Sequence, residues 1–387
     1  MKTGVFTRAG TGRTVLDEAI ERMAALYRAG HRVVVCFSGG KDSGVCLEVA
    51  LEAARKTNRL PVEVIMRDEE IMFPGTFEYC ERVVERPGVV FHWVTANQPI
   101  INIFNRVSPY FWVFDPELPA EEWVRQPPPY ARTIEDPRIG QLVGEKRFPP
   151  ARGKNLYRII GLRTTESAKR LWAIAQSGSY LAKPDKYGAT NARPIYDWRD
   201  GDVWLAHKEG GWDYNPAYSV MARFALKPYQ QRIAPPTQTV DGIVNLQMAI
   251  RAWPRWYDRV CRRLPGMRAA AKFGRRAVVP MRQHGETWQE CFQRTCIDEA
   301  PADWIKERAE VARDKYLTRH GGHSTSPFPE VRRCRFCSGS ASWKRLAEAL
   351  FNGDPFKLKC PVLKPMQPTY FRPNAREIPE NEPIHFT

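Results

Sequence analysis

HRVVVCFSGGKDSGVCLEVALEAARK, residues His31 to Lys56, decides the fold. His31 to Phe37 is short, β-branched and apolar, and a glycine-rich turn closes it, so it predicts a buried strand. Ser43 to Lys56 spaces apolar residues at helical intervals among Ala, Leu and Glu, which predicts a helix. The turn between them aims backbone N–H groups and the positive end of a helix dipole at one point, a setting that suits an anion such as phosphate. Gly39 and Gly40 let the backbone approach phosphate oxygens, Ser38 and Ser43 offer hydroxyls, and Lys41 supplies a compact charge. Asp42 is expected to hold the loop or to help place a metal ion. Neither G-x-x-x-x-G-K-[ST] nor G-x-G-x-x-G aligns to this turn, which excludes the two commonest phosphate loops.

Working outward, Leu60 to Asp68 and Val89 to Thr95 read as strands with a helix near Gly75 to Arg86 between them, and Asn155 to Arg163 reads as another strand. Strands alternating with helices predict an α/β fold with a doubly wound, mostly parallel sheet whose ligands sit at the carboxyl ends of the strands. Asp68, at one such end, joins the candidate ligand-binding residues. Glu117 to Arg152 is rich in Pro and charge and poor in periodicity, so it is read as a long excursion over the nucleotide site, mobile without substrate. From about Thr237 onward the pattern is helical with no convincing strand, which suggests an α/β domain carrying the phosphate loop at 1–236 and a helical, basic one at 237–387.

The 387 residues suffice for two cores, and the 26% charged and 43% hydrophobic fractions are those of a soluble globular protein. No apolar run approaches a membrane span, and MKTGVFTRAG at the start lacks the apolar core of a signal peptide, so a cytoplasmic protein is expected. Nine cysteines without a repeating framework fit a reducing compartment, with metal-bound or buried thiols. Cys36 and Cys46 flank the loop from a buried strand and an apolar helix face and read as packing. A net charge of +16 favours polyanionic partners, most simply nucleic acid.

The loop resembles the S-G-G-K-D-S signature of the PP-loop ATP pyrophosphatase superfamily, of the adenine nucleotide alpha hydrolase-like fold. That resemblance implies ATP binding with cleavage between the α- and β-phosphates. IIGLRTTESAKR (Ile159 to Arg170) resembles the G-[IL]-R-x-x-E-S-x-x-R element of phosphoadenylyl-sulfate (PAPS) reductase-like proteins. Arg163 is then expected to face the phosphates, with Glu166, Ser167 and Arg170 opening the next helix. Phe73-Pro74-Gly75-Thr76 resembles that family's F-P-x-T element, and ARPIYDWRDGDVW (Ala192 to Trp204) its R-P-[IL]-x-D-W block, read here as structural support. WDYNPAYSV, from Trp212, resembles its Y-N-x-x-Y block. With RVCRRLPG and TWQECF, the likeness points to prophage-borne proteins of the immunoglobulin-binding regulator A kind.

A PAPS reductase uses a cysteine in a C-terminal E-C-G-[IL]-H tail, whereas this chain ends REIPENEPIHFT with no cysteine after Cys360. ATP is therefore the more natural ligand than phosphoadenylyl sulfate. The chemistry implied is adenylation, in which an acceptor oxygen attacks the α-phosphate and pyrophosphate leaves. Lys41, Asp42, Arg163 and one Mg²⁺ would supply charge and in-line positioning. The acceptor is open, with modification or thiolation of nucleic acid as one reading. A nucleotide-dependent regulator that binds DNA or a partner protein without turnover is the alternative, and a phosphosulfate reductase comes third.

Between Arg259 and Arg282 the chain has eight basic residues and no acidic one, with Trp253, Trp256, Tyr257 and Phe273 among or beside them. Charge and rings together suit a nucleic-acid surface, and a solvated basic face over core tryptophans is the other reading. HGGHSTSPFPEVRRCRFC then offers His320, His323, Cys334 and Cys337. A C-x₂-C knuckle is half of a metal site. Cys334, Cys337, Cys360 and His323 are the expected ligands of a structural Zn²⁺, with Cys291 and Cys296 as spares.

Overall fold

The computed structural model of the chain describes residues 12–134, 142–337 and 341–375. The N-terminal MKTGVFTRAG and the C-terminal REIPENEPIHFT lie outside them, as do residues 135–141 of the expected excursion.

Burial of Val33, Val34 and Val35 on both sides of one strand fixes the centre of the first unit. Val33 and Val35 enter the larger apolar cluster, and Val34 points into a second cluster with Ile65, Phe148 and Leu156. Alternation with period two, both faces covered, is what a central parallel strand requires. The unit is built from α1 (Val15–Arg28), β1 (Arg32–Cys36), α2 (Lys41–Lys56), β2 (Val62–Arg67), α3 (Thr76–Val84) and β3 (Val89–Thr95). It continues with β4 (Arg132–Thr133), β5 (Leu156–Ile159), α4 (Ala168–Ser177), β6 (Ala189–Ala192), α5 (Asp200–Gly210) and α6 (Ala217–Arg223). The six strands lie in the order β4-β3-β2-β1-β5-β6, and every neighbouring pair is parallel. Strand order therefore runs outward from β1 toward β2 and β3 on one side and toward β5 and β6 on the other. This is the doubly wound arrangement, with its switch point between β1 and β5.

Helices α1 and α2 line one face with fully buried residues that include Ala19, Met23, Val45, Leu47 and Leu51. Each such Val, Leu or Met contributes about 1.5–3 kcal/mol by leaving water. α1 starts on a capping box: the Asp17 amide donates to the Thr14 hydroxyl (3.1 Å), and the Thr14 amide to the Asp17 carboxylate (3.1 Å).

The second unit takes in Pro99–Val124, Lys227–Gln230 and the described residues from Ala234 onward. It contains an antiparallel pair, Pro99–Ile101 with Tyr110–Trp112, and helices α7 (Gly242–Ala252), α8 (Pro254–Arg263) and α9 (Met267–Phe273). α10 (Trp288–Phe292), α11 (Asp303–Gly321), α12 (Trp343–Leu350) and α13 (Pro368–Phe371) complete it. Phe292, Ile297, Tyr316, Phe328, Trp343 and Leu346 form its helical core. Glu117 to Arg152 is thus not one excursion. Residues 117–124 belong to this unit, while Tyr130 and Phe148 pack in the first, against Trp93 and His92. Among the described residues no helix is long and apolar enough to cross a membrane.

Candidate functional site

The loop Ser38 to Ser43 leaves the carboxyl end of β1 and runs straight into α2, whose N-cap is Gly40. Gly39 sits at φ +73°, where a Cβ would come within 2.8 Å of Thr76 Cγ2 and 3.1 Å of Cys80 Sγ. The position accepts only glycine without displacement. The Ser43 hydroxyl donates to Gly40 O (3.0 Å) and accepts from the Ser38 amide (3.2 Å), so the two serines tie the loop to its own helix. Across the switch point, Gly161 brings the end of β5 against α2, and a Cβ there would lie 2.8 Å from the Asp42 carbonyl carbon.

Four charged side chains meet at this point. Lys41 Nζ lies 3.3 Å from Asp42 Oδ2 and 3.2 Å from Asp200 Oδ1. Arg163 Nε donates to Asp42 Oδ1 at 2.6 Å, and its Nη2 reaches Asp200 Oδ1 at 3.2 Å. Two cations and two carboxylates thus cross-link the start of α2, the segment after β5 and the start of α5. Lys41 and Arg163 are both buried, which strengthens their attraction to any phosphate admitted there. Glu166 accepts from the Arg163 amide at 3.1 Å and pairs with Arg170, while the Ser167 hydroxyl caps α4 by accepting from the Arg170 amide at 3.2 Å. Burial pulls the Arg170 pKa down, while Asp42 opposes that shift and Arg163 and Arg232 add to it.

The loop is held from outside by residues that the sequence reading did not place in the site. Asn215, wholly buried, donates to Gly39 O (2.9 Å) and Thr76 Oγ1 (2.8 Å) and accepts from the Ala217 amide (2.9 Å). The Tyr218 hydroxyl accepts from the Lys41 amide at 3.1 Å, the Lys41 ammonium stands 5.8 Å from its ring centre, and burial raises the phenol. His207 Nε2 donates to Lys41 O at 3.3 Å. Asn215 and Tyr218 are the N and second Y of the Y-N-x-x-Y block, so a motif had marked them. Trp198 and Trp204 serve as support: Trp198 is fully buried and donates to Val15 O (3.1 Å), and Trp204 stacks edge-on against Tyr218.

Asp68 is a correction. One carboxylate oxygen accepts from the Glu70 amide (2.9 Å), the other from Trp93 Nε1 (2.9 Å), and Arg125 pairs with it, all at zero exposure. With its oxygens committed it buttresses the end of β2 and offers no face to a ligand. Cys36 is pushed up to about 11 by burial, and Cys46 is raised by the same cause, so neither is a nucleophile at neutral pH.

Burial also lowers the His207 pKa. A base with a depressed native pKa contributes stability that is present above its unfolded value of about 6.5 and is lost as pH falls through the native value. The melting temperature should therefore fall between pH 7.5 and 5.5, by an amount reflecting about 1 kcal/mol, and the fall should shrink in His207→Gln. A pH dependence identical in parent and variant would assign it to other groups.

In the second unit the structure gathers His320, His323, Cys334 and Cys337, with their donor atoms within 4.8 Å of one another. His320 takes the fourth place that the sequence reading gave to Cys360. The Cys360 thiol is buried in the helical core beside the Tyr316 hydroxyl, and its amide donates to Asp354 at 2.7 Å. Cys296 is likewise core, directed at Ala347 O. The basic stretch Arg259 to Arg282 divides. Arg262 and Arg268 pair with Asp258, Arg263 donates to Trp112 O (2.6 Å) and Trp256 is buried, whereas Lys272, Phe273, Arg275 and Arg276 face solvent.

No protein-family model matches the chain. The uncharacterized protein YbdN of Escherichia coli (strain K12) is 30% identical over 241 residues, which is 57% of this chain, and the chain spans 58% of YbdN's length. Among solved structures, FMN adenylyltransferase from Candida glabrata aligns with a TM-score of 0.34 and 12% identity, over 54% of this chain and 62% of that one. PAPS reductase from Candida auris aligns at 0.30 and 14% identity, over 57% and 95%. The U34-tRNA thiolase NcsA from Methanococcus maripaludis, solved with its 4Fe-4S cluster, aligns at 0.31 and 14%, over 67% and 80%. All three TM-scores lie below 0.5, so the functional reading rests on the residues of the loop.

Proposed function

We propose that the first unit binds ATP on the Ser38 to Ser43 loop and cleaves it between the α- and β-phosphates, passing the adenylyl group to an acceptor. The observation that supports this most is the four-charge cluster of Lys41, Asp42, Arg163 and Asp200 at the switch point, beside a loop in which Gly39 leaves no room for a Cβ. The acceptor oxygen attacks the α-phosphorus as the bond to the bridging oxygen breaks, and pyrophosphate leaves with the electron pair. Lys41 and Arg163 bind phosphate oxygens and offset the charge that gathers on the leaving group. Asp42 and Asp200 are hard oxygen donors that share the same two cations, a set that fits Mg²⁺. When bound, that ion would supply charge neutralisation to the phosphates; Asp42 and Asp200 would hold it, and Lys41 and Arg163 would bind phosphate oxygens of ATP. Glu166 and Arg170 keep Arg163 in place. The basic balance of the chain favours nucleic acid as the acceptor.

Calorimetric titration with ATP tests the division of labour. Mg²⁺ should tighten binding to the parent at least about tenfold, and Asp200→Asn should erase that dependence while still binding free ATP. Equal Mg²⁺ dependence in both proteins would remove Asp200 from the site.

A further inference from the structure

His323 Nε2 lies 3.3 Å from Cys334 Sγ and 3.8 Å from Cys337 Sγ, and His320 Nδ1 lies 3.7 Å from Cys337 Sγ. Metal bonds of about 2.3 Å to sulfur and 2.0–2.1 Å to nitrogen, set tetrahedrally, separate neighbouring donors by roughly 3.3–3.8 Å. These three pairs therefore already stand at the separations that one ion needs. A two-iron cluster with mixed ligands puts its histidines on one iron and its cysteines on the other, which would hold sulfur and nitrogen donors farther apart than these.

Surrounding groups already orient the donors. His320 Nε2–H donates to Ser326 O at 3.1 Å, which leaves the Nδ1 lone pair for the centre. His320 closes the last turn of α11, so the ion would fasten that helix to the knuckle.

What the knuckle displays is unusual for a structural staple. Phe336 is 82% exposed, and its ring centre stands 5.7 Å from that of His323, so the ring is presented to solvent beside the cluster. Arg332, Arg333 and Arg335 are exposed around it, and residues 331–337 include no acid. Two thiolates neutralise a divalent ion, so these three charges are surplus to the centre. A solvent-facing ring among surplus arginines matches a nucleobase flanked by phosphates.

We propose that His320, His323, Cys334 and Cys337 hold one zinc ion, and that the ion shapes residues 331–337 into a contact for single-stranded nucleic acid. Phe336 stacks on an unpaired base, and Arg332, Arg333 and Arg335 meet the phosphates. This holds independently of ATP turnover in the first unit.

Elemental analysis of the full chain should find close to one zinc, lost in His320→Asn and in Cys337→Ser and retained in Cys360→Ser. Cobalt exchanged into the parent should give the visible bands of a tetrahedral site with thiolate ligands, which reports on the centre even where a variant folds poorly. Labelled single-stranded RNA and DNA of one sequence, and the matching duplex, are then titrated by fluorescence anisotropy. Phe336→Ala should keep its zinc and bind either single strand about tenfold more weakly. Gln at all three arginines should flatten the log–log salt slope by up to about three. Preference for RNA or for DNA names the source, and either supports the proposal. Metal-free parent, full zinc in His320→Asn, unchanged binding in Phe336→Ala, equal affinity for duplex, or binding of an acidic peptide alone would each overturn it.

Discussion

Lys41→Ala is expected to slow pyrophosphate release from ATP by about 10²–10³-fold while the chain stays folded. Among the described residues, Lys41 brings the one ammonium that pairs with Asp42 and Asp200, whose other cationic partner is Arg163. Removing it leaves the two carboxylates under-compensated and takes one donor from the phosphates, so both binding and the chemical step suffer. Stability should change little. Asp200 is 39% exposed and water can replace the lost partner, and the Lys41 amide keeps its bond to Tyr218. Pyrophosphate-coupled turnover and a melting curve check both halves, and parental turnover in this variant would mean that Lys41 does not meet phosphate.

Asn215→Ala should cost about 3–5 kcal/mol of stability and most of the turnover as well. Its amide satisfies three groups at zero exposure: Gly39 O, Thr76 Oγ1 and the Ala217 amide. Leaving a buried polar group without its partner costs about 1–3 kcal/mol each, and the three share one cavity, so the sum is less than additive. Gly39 O belongs to the Ser38 to Ser43 loop, so relaxation there spreads to Lys41 and Asp42. A chemical denaturation curve within 1 kcal/mol of the parent would show that water replaces the amide.

Local pattern made the heart of the fold legible. The β-branched run at Val33 to Val35, the Gly39-Gly40 turn and the spaced apolar residues of α2 each obey short-range rules, and all three formed where expected. α1 obeys the same short-range rules, since Thr14 and Asp17 make a capping box ahead of an amphipathic run. The clamp on the loop was not derivable by such rules. Asn215 bonds Gly39 across 176 residues of sequence, and Tyr218 bonds Lys41 across 177. A motif can flag such residues, but only the closing of the sheet shows what they touch. Asp200 escaped for the same reason, hidden in a block read as tryptophan support. Asp68 failed in the opposite sense: it stands at the right strand end, but Arg125 and Trp93 consume its carboxylate. At the cluster of His320, His323, Cys334 and Cys337, the C-x₂-C knuckle was legible and the choice between His320 and Cys360 was not. The spacing of His320 and His323 across the end of α11 was the signal available for it.

Phosphorus NMR of the products that the purified chain forms from ATP and Mg²⁺ shows which bond of ATP this loop breaks. AMP, free or joined to its acceptor, and pyrophosphate are expected in equal amounts, with both reduced about 10²–10³-fold in Lys41→Ala. ADP and inorganic phosphate, or tightly bound ATP that is never cleaved, would contradict cleavage between the α- and β-phosphates.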